Sequence, residues 1–411
     1  MTDPIQIHEY DNGMTLVTQR MDWVESAAFS LLVPAGCARD PRPLLGLGNL
    51  TSEMVQRGCG SRDSRQFVND LENLGVDHNS SVANAHASFG GAMPADKLLA
   101  ALDIHADLVM RPHLPEDQFE DAQLSCVQEL RALEDDLAQR AMLELRRQQF
   151  PDPYGRNSSG TLETIQAATL DDVRTFYADF YRPQGAILSV AGKFDFPRLR
   201  DQVGELFAAW QSPPLSPLDE RPAPRAATHI HHDSTQTHIA IGYDSIPYGH
   251  PDYYQARAAV GVLSDGMSSR LFTEVREKRG LCYSVYAVCH SVRGRGAVVC
   301  YAGTTTERAQ ETLDVVLQEL TTMATGVHSD ELQRLKARLK SSLIIQQESS
   351  ASRSSSIAAD WYYLGRVQTL EQVGKIVDDL SCESINTYLA ANPPQSFTIV
   401  TLGQKPLELP Q

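Results

Sequence analysis

The chain has 411 residues, 42% hydrophobic and 21% charged, with a formal net charge of −16. That length accommodates two or three domains of ordinary size, and the composition is that of a globular protein with sizeable cores. The acidic balance without any basic stripe excludes nucleic acid as a partner, and no apolar run reaches the roughly 20 residues that a membrane-spanning helix needs.

In chain order, the opening Met1-Thr2-Asp3-Pro4-Ile5 has no charged segment ahead of an apolar core, so it does not read as a signal peptide. Alternating apolar residues predict strands at Met14–Gln19 and Ala27–Val33, and helical periodicity predicts helices at Leu44–Gln56 and Ser64–Leu74. Strands follow at Val76–Val82 and Ala85–Met93, then a helix at Ala95–Met110 and a long one from Pro115 to Leu137 or beyond. A helix at Leu170–Phe180, a strand at Ala186–Ala191 and a helix near Pro197–Trp210 close the first half. Ser212–Arg225 holds five prolines, which neither a helix nor a central strand tolerates, so residues 212–226 read as a linker.

The second half repeats the order. A strand is expected at Thr237–Tyr243, helices at Asp252–Ser264 and Ser269–Arg279, strands at Cys282–His290 and Ala297–Ala302, and helices at Glu307–Met323 and Ser329–Gln347. The serine-rich run Ser349–Ser356 reads as polar helix, followed by a helix near Ser384–Ala391 and a strand at Ser396–Thr401. The ends of the halves match best: Thr169–Tyr177 with Gly185–Gly192 mirrors Ser381–Leu389 with Ser396–Gly403. A repeat of this length is a duplicated α+β domain, residues 1–211 and 227–411, each an antiparallel-rich mixed sheet with helices packed on one face.

The chemistry-bearing residues need weighing against ordinary roles. The seven cysteines (Cys37, Cys59, Cys126, Cys282, Cys289, Cys300 and Cys382) are odd in number and form no CxxC pair, so they read as reduced and mostly buried in a cytoplasmic protein. His229, His231 and His232 are spaced as the solvated start of a strand, and His86, His105 and His113 show no ligand spacing. Gly90-Gly91 and Gly46-x-Gly48 lack the Lys-Ser/Thr of a phosphate loop.

Gly46-Leu47-Gly48-Asn49-Leu50-Thr51-Ser52-Glu53-Met54 sets Asn49, Ser52 and Glu53 at the spacing of a His-x-x-Glu-His helix, in which two histidines share a zinc ion and the glutamate is the general base. An amide, a hydroxyl and a carboxylate stand there instead. Around these positions the chain resembles the pitrilysin/insulinase family of zinc peptidases, in its short, processing-peptidase-like branch. Gly46, Leu47 and Met54 match that family's helix. The resemblance implies that Glu129, 76 residues after Glu53, stands at the third zinc-ligand position, and that Asn79 lies on an edge strand pairing with substrate peptide. Ser268-Ser269-Arg270-Leu271-Phe272-Thr273-Glu274-Val275-Arg276 through Val285 resembles the family's C-terminal signature, whose Arg and Tyr, here Arg276 and Tyr283, reach the active site. An arginine fork suits a peptide carbonyl, and a tyrosine hydroxyl suits the oxyanion of a tetrahedral intermediate.

The resemblance therefore implies a zinc metalloendopeptidase family member that is inactive alone. It would be the Arg/Tyr-bearing subunit of a heterodimer, with no metal of its own, zinc in a homologous partner, and unfolded peptides as substrate. Isolated chains could also form a homodimer. The alternatives are a degenerate scaffold or peptide-binding protein of the same fold, a hard cation such as Ca²⁺ or Mg²⁺ at Glu53 and Glu129, and an active homodimer with a displaced zinc site.

Overall fold

The computed structural model describes residues 4–212, 214–346 and 348–409; Pro213 of the expected linker and Gln347 of the expected long helix lie outside the described residues. The chain runs β1 (Ile5–Glu9), β2 (Thr15–Arg20), β3 (Ser26–Val33), α1 (Leu47–Val55), α2 (Ser64–Asn73), β4 (Asp77–Val82), β5 (Ala87–Pro94), α3 (Leu98–Met110) and α4 (Phe119–Asp135). Next come α5 (Leu137–Gln149), α6 (Leu162–Ala167), α7 (Leu170–Phe180), β6 (Ile187–Gly192) and α8 (Phe196–Phe207). The second half is β7 (Thr228–His231), β8 (Gln236–Ser245), α9 (Tyr253–Ser264), a π-helical turn (Phe272–Glu277), β9 (Cys282–Val292), β10 (Arg295–Thr305), α10 (Ala309–Thr322) and α11 (Ser329–Gln346). It ends with α12 (Ser350–Leu364), α13 (Leu370–Asp379), α14 (Cys382–Ala391) and β11 (Thr398–Gly403).

These elements form two compact units. Unit one takes the chain up to Ala132, Arg156–Asp219 and Ile345–Thr369; unit two takes Leu133–Gly155, Glu220–Ile344 and the chain from Leu370 onward. The sheet of unit one is ordered β1-β2-β6-β3-β5-β4, antiparallel except for the β2·β6 pair. The sheet of unit two is ordered β7-β11-β8-β10-β9, antiparallel except for β7·β11. Without β1 the two sheets have the same order and the same single parallel pair, which is the duplication expressed as topology.

The expectation of helices on one face needs refinement. β6 and β11 are buried along their whole length and β8 over seven consecutive residues, which requires cover on both sides of each sheet. In unit two, Val260, Leu263, Leu313, Val316, Ile385 and Leu389 of α9, α10 and α14 pack against one face. Ala141, Met142 and Leu145 of α5 pack against the other, over Ala240, Val299, Val400 and Leu402. In unit one, α12 lies on β2, β3 and β6, with Ile357 against Val17, Leu32 and Ile187. Each sheet thus borrows one helix from the opposite half of the chain. Burying each large apolar side chain there contributes about 1.5–3 kcal/mol, so the exchange is part of the cores and not a surface ornament.

Local chemistry explains where the elements stop. Asp136 ends the run of α4 with a non-helical backbone, and its side chain accepts from the Gln139 N–H to start α5, so the expected long helix is two helices. The serine run is helical as expected, with one face (Ser350, Arg353 and Ser354) buried and the other (Ala351, Ser352 and Ser355) exposed. The Arg353 guanidinium is fully enclosed; it donates to the Gln19 side chain and to the Gln368 carbonyl (2.8 Å). No helix among the described residues is long and apolar enough to cross a membrane.

Candidate functional site

In unit one, α1 begins at Gly46, whose φ of +90° and lack of room for a Cβ (2.7 Å from the Ser159 carbonyl oxygen) demand glycine. Asp40 caps the helix: its two carboxylate oxygens accept from the Gly46 and Gly48 N–H groups at 2.7 and 2.8 Å. Burial pushes Asp40 up to about 7, against the pull of those two N–H groups and Arg156. Leu47, Leu50, Thr51, Met54 and Val55 face the core, which leaves Asn49 and Glu53 half-buried one turn apart, while Ser52 is only 4% exposed.

The structure brings α1 and Glu129 of α4 together. Asn49 Nδ2 donates to Glu129 Oε2 at 2.9 Å, and Ser159 Oγ donates to Glu129 Oε1 at 3.1 Å. Burial raises the Glu53 carboxyl, Arg57 opposes the shift and Glu129 adds to it. This donor set does not fit zinc. An amide N–H pointed at a carboxylate replaces the first imidazole, and both Glu129 oxygens already accept hydrogen bonds. Cys126, 3.9 Å from Asn49 Nδ2, is held protonated because burial, then Glu53 and Glu129, push its thiol up to about 12. Among the described residues no three His, Cys, Asp or Glu side chains are grouped to hold a metal, and Glu53 with Glu129 offers a hard cation only two carboxylates.

Asn79 is exposed on β4, the edge of its sheet, opposite Gly90 of β5. The residue before it was not singled out by sequence. His78 Nε2 contacts Gln56 Oε1 at 3.1 Å, and Gln56 Nε2 donates to the Ser52 carbonyl, which links the edge strand to α1. His78 Nδ1 lies 3.3 Å from Nε2 of buried His105, whose Nδ1 donates to the Ala101 carbonyl at 2.8 Å. With those N–H groups committed, the imidazole–imidazole contact is closed by a proton only when the pair is charged. Burial opposes that, and with His78 alongside it pushes His105 down to about 3. His86 packs edge-on against Tyr362, and His113 bonds the Gly60 carbonyl; both are structural.

In unit two, the structure brings Arg276 and Tyr283 side by side. The guanidinium of Arg276 sits over the rings of Phe272 (4.9 Å) and Tyr283 (5.1 Å). Arg276 leaves the π-helical turn, where Lys278 N–H bonds the Thr273 carbonyl and Leu281 N–H bonds that of Val275. Tyr283 falls at a register shift: Ser284 pairs with Gly303 and Cys282 with Thr304, so Tyr283 has no partner across the ladder and is 85% exposed. The rest of the motif is scaffolding. Arg270 is held by Glu331 (2.7 and 2.8 Å) and the Gly326 carbonyl, and Glu274 pairs with Lys278 and Arg279. Cys282 is buried, its thiol pushed up to about 11. His229 and His232 are half-buried and His231 exposed at β7; His229 Nδ1 contacts Thr401 Oγ1 at 2.9 Å.

Known proteins match along almost the whole chain. Residues 15–161 match the family model described as Insulinase (Peptidase family M16), and residues 167–339 match the one described as Peptidase M16 inactive domain. An uncharacterized zinc protease of Bacillus subtilis is 24% identical over 396 residues, covering 93% of this chain and 94% of the relative. One from Streptomyces coelicolor is 28% identical over 356 residues, covering 83% and 76%. Among solved structures, a peptidase M16 inactive domain from Pseudomonas fluorescens superposes with a TM-score of 0.90 at 23% identity over 99% of each chain. A protease from Helicobacter pylori gives 0.89 at 19% identity over 98% of this chain and 99% of its own. At these identities the solved structures carry the fold alone.

Proposed function

Because this chain belongs to peptidase family M16, the insulinase family, we propose that it is the non-catalytic subunit of a two-chain zinc metallopeptidase, lending Arg276 and Tyr283 to a site whose metal lies in a homologous partner. The observation that carries the reading is the contrast between the two motifs. At α1 the ligand positions are filled by Asn49, Ser52 and Glu53, and Asn49 is tied to Glu129. In unit two, by contrast, the Arg276 guanidinium sits over the ring of Tyr283, whose side chain is 85% exposed.

The chemistry assigned to this chain is binding and charge stabilisation. The Arg276 guanidinium donates to a carbonyl of an extended, unfolded peptide and orients it. The Tyr283 hydroxyl donates to the oxyanion that forms when water adds to the scissile carbonyl. Metal and general base are the partner's contribution. On this reading Asn79 marks a peptide-facing edge without chemistry of its own. The seven cysteines are all free, which suits a cytoplasmic location.

The test is complementation. The purified chain is expected to hold no stoichiometric zinc and to cleave no peptide, and mixing it with a homologous chain that has an intact His-x-x-Glu-His helix restores cleavage. Tyr283→Phe then lowers kcat of the pair by about 10²–10³, the usual cost of one oxyanion donor. Full activity of that mutant pair refutes the role, and absence of activity with any such partner favours a scaffold.

A further inference from the structure

Unit two contains a cleft of about 740 Å³ to which neither motif contributes a residue. The end of α5, the linker from Glu220 to Arg225, the end of β8 and the turn between β9 and β10 form it. A volume of that size suits a small organic molecule. Phe150, 3% exposed and packed with Val292 and Ala297, supplies an aromatic surface. Pro151, Pro222 and Pro247 add stiff apolar walls.

The charges in the cleft are unequal. Three guanidiniums line it, those of Arg221, Arg225 and Arg295, against the carboxylates of Glu220 and Asp244. Both carboxylates are engaged. Asp244 accepts a two-pronged bond from Arg225 (2.7 and 2.8 Å) and a further one from Gln149 Nε2 (2.9 Å). Glu220 accepts from Arg295 at 2.6 Å and from the Tyr154 hydroxyl at 2.9 Å. Arg221 is the cation left over. Its backbone N–H donates to the Asp152 carbonyl at 2.8 Å, which fixes where the side chain starts, but its guanidinium has no acceptor among the described residues. A cationic ligand would have to break an ion pair, and a neutral one leaves Arg221 unmatched.

The linker does not lie loosely over this space. Arg225 holds a φ of +54°, which residues with a side chain rarely adopt. Its N–H bond to the Gln148 carbonyl (3.0 Å) and its fork on Asp244 keep it there. The cleft is therefore preformed, with an aromatic surface, proline walls and one unmatched guanidinium.

We propose that this cleft binds a small aromatic oxyanion, a carboxylate or a phosphate monoester, with its ring against Phe150 and its oxygens on the Arg221 fork. Either oxyanion matches a guanidinium, so separate probes tell them apart. The site goes beyond the shared-active-site reading and uses none of its residues.

The test is isothermal titration calorimetry on the full chain with benzoate and with phenyl phosphate. Benzyl alcohol, benzylamine and inorganic phosphate are the controls. Saturable binding of at least one probe is expected, with every control at least tenfold weaker. The tighter of the two probes identifies the oxyanion, and either preference supports the site. Arg221→Ala should weaken that probe roughly tenfold, and Arg221→Lys should do so less, because lysine keeps the charge without the fork. Arg221 is exposed, so both variants should melt like the parent. Ala223→Trp, which fills the cleft, should abolish binding. Binding of neither probe, equal binding of benzyl alcohol or of inorganic phosphate, or indifference to Arg221→Ala overturns the proposal. The titration needs no partner chain, so its failure leaves the shared-site reading standing, and failed complementation leaves this cleft standing.

Discussion

Restoring two imidazoles to α1 tests whether Glu129 is the surviving member of a metal site. In Asn49→His/Glu53→His the new side chains occupy half-buried positions one turn apart on one helix face, with Glu129 already in contact with residue 49. The change removes one hydrogen bond to a carboxylate, a loss of about 1–2 kcal/mol, and relieves the repulsion between Glu53 and Glu129. Two histidines and a glutamate then form a three-ligand zinc site with an open fourth position. At free zinc 100-fold above Kd, binding stabilises the folded state by about 2.7 kcal/mol, which for a unit of this size raises Tm by roughly 5–10 °C. The assay is thermal unfolding with zinc and with chelator, alongside elemental analysis of the dialysed protein. One zinc per chain and a zinc-dependent Tm are expected. A variant that folds like the parent, binds no zinc and melts identically in both buffers refutes the register that aligns Asn49, Glu53 and Glu129 with metal ligands.

Two further outcomes follow from buried groups. Arg353→Met removes the enclosed guanidinium that bonds Gln19 and the Gln368 carbonyl, leaving buried acceptors without donors, and should lower unfolding free energy by about 3–5 kcal/mol in urea titration. His105, held near 3 by burial, is neutral in the folded protein, whereas in the unfolded chain it protonates near 6.5. Its contribution to stability is therefore full above about pH 6.5 and declines as pH falls toward 3, by about 1.4 kcal/mol per pH unit. His105→Asn should flatten the stability profile by that slope between pH 4 and 6, and an unchanged slope contradicts a buried neutral imidazole.

Much of this molecule is legible in the sequence because the relevant signals are local or carried by fixed spacing. β6, β8 and β11 declare themselves as apolar runs, and α7 begins at Thr169 with a capping box that the residue pattern already contains. The meeting of α1 with Glu129 was implied by the resemblance to the family's third-ligand position, and that of Arg276 with Tyr283 by the family signature around them. What escaped is what tertiary packing decides. Ser350, Arg353 and Ser354 look like surface residues, yet they are buried because α12 covers the sheet of unit one. The expectation of helices on one face missed the cover that the wholly buried β6 and β8 require on both, and nothing local shows that the covering helix comes from the other half of the chain. The π-helical turn and the register shift that turn Arg276 and Tyr283 outward have no periodicity to read. His78 meets His105 only because β4 passes over α3, an adjacency that no spacing rule provides.

The most direct measurement for the shared active site compares peptide cleavage by three preparations: this chain alone, this chain with a homologous subunit carrying His-x-x-Glu-His, and that pair with Tyr283→Phe. The expected result is no cleavage, restored cleavage, and a kcat about 10²–10³ lower, with zinc found only in the partner subunit. Cleavage by this chain alone, or a Tyr283→Phe pair as active as the parent pair, would contradict it.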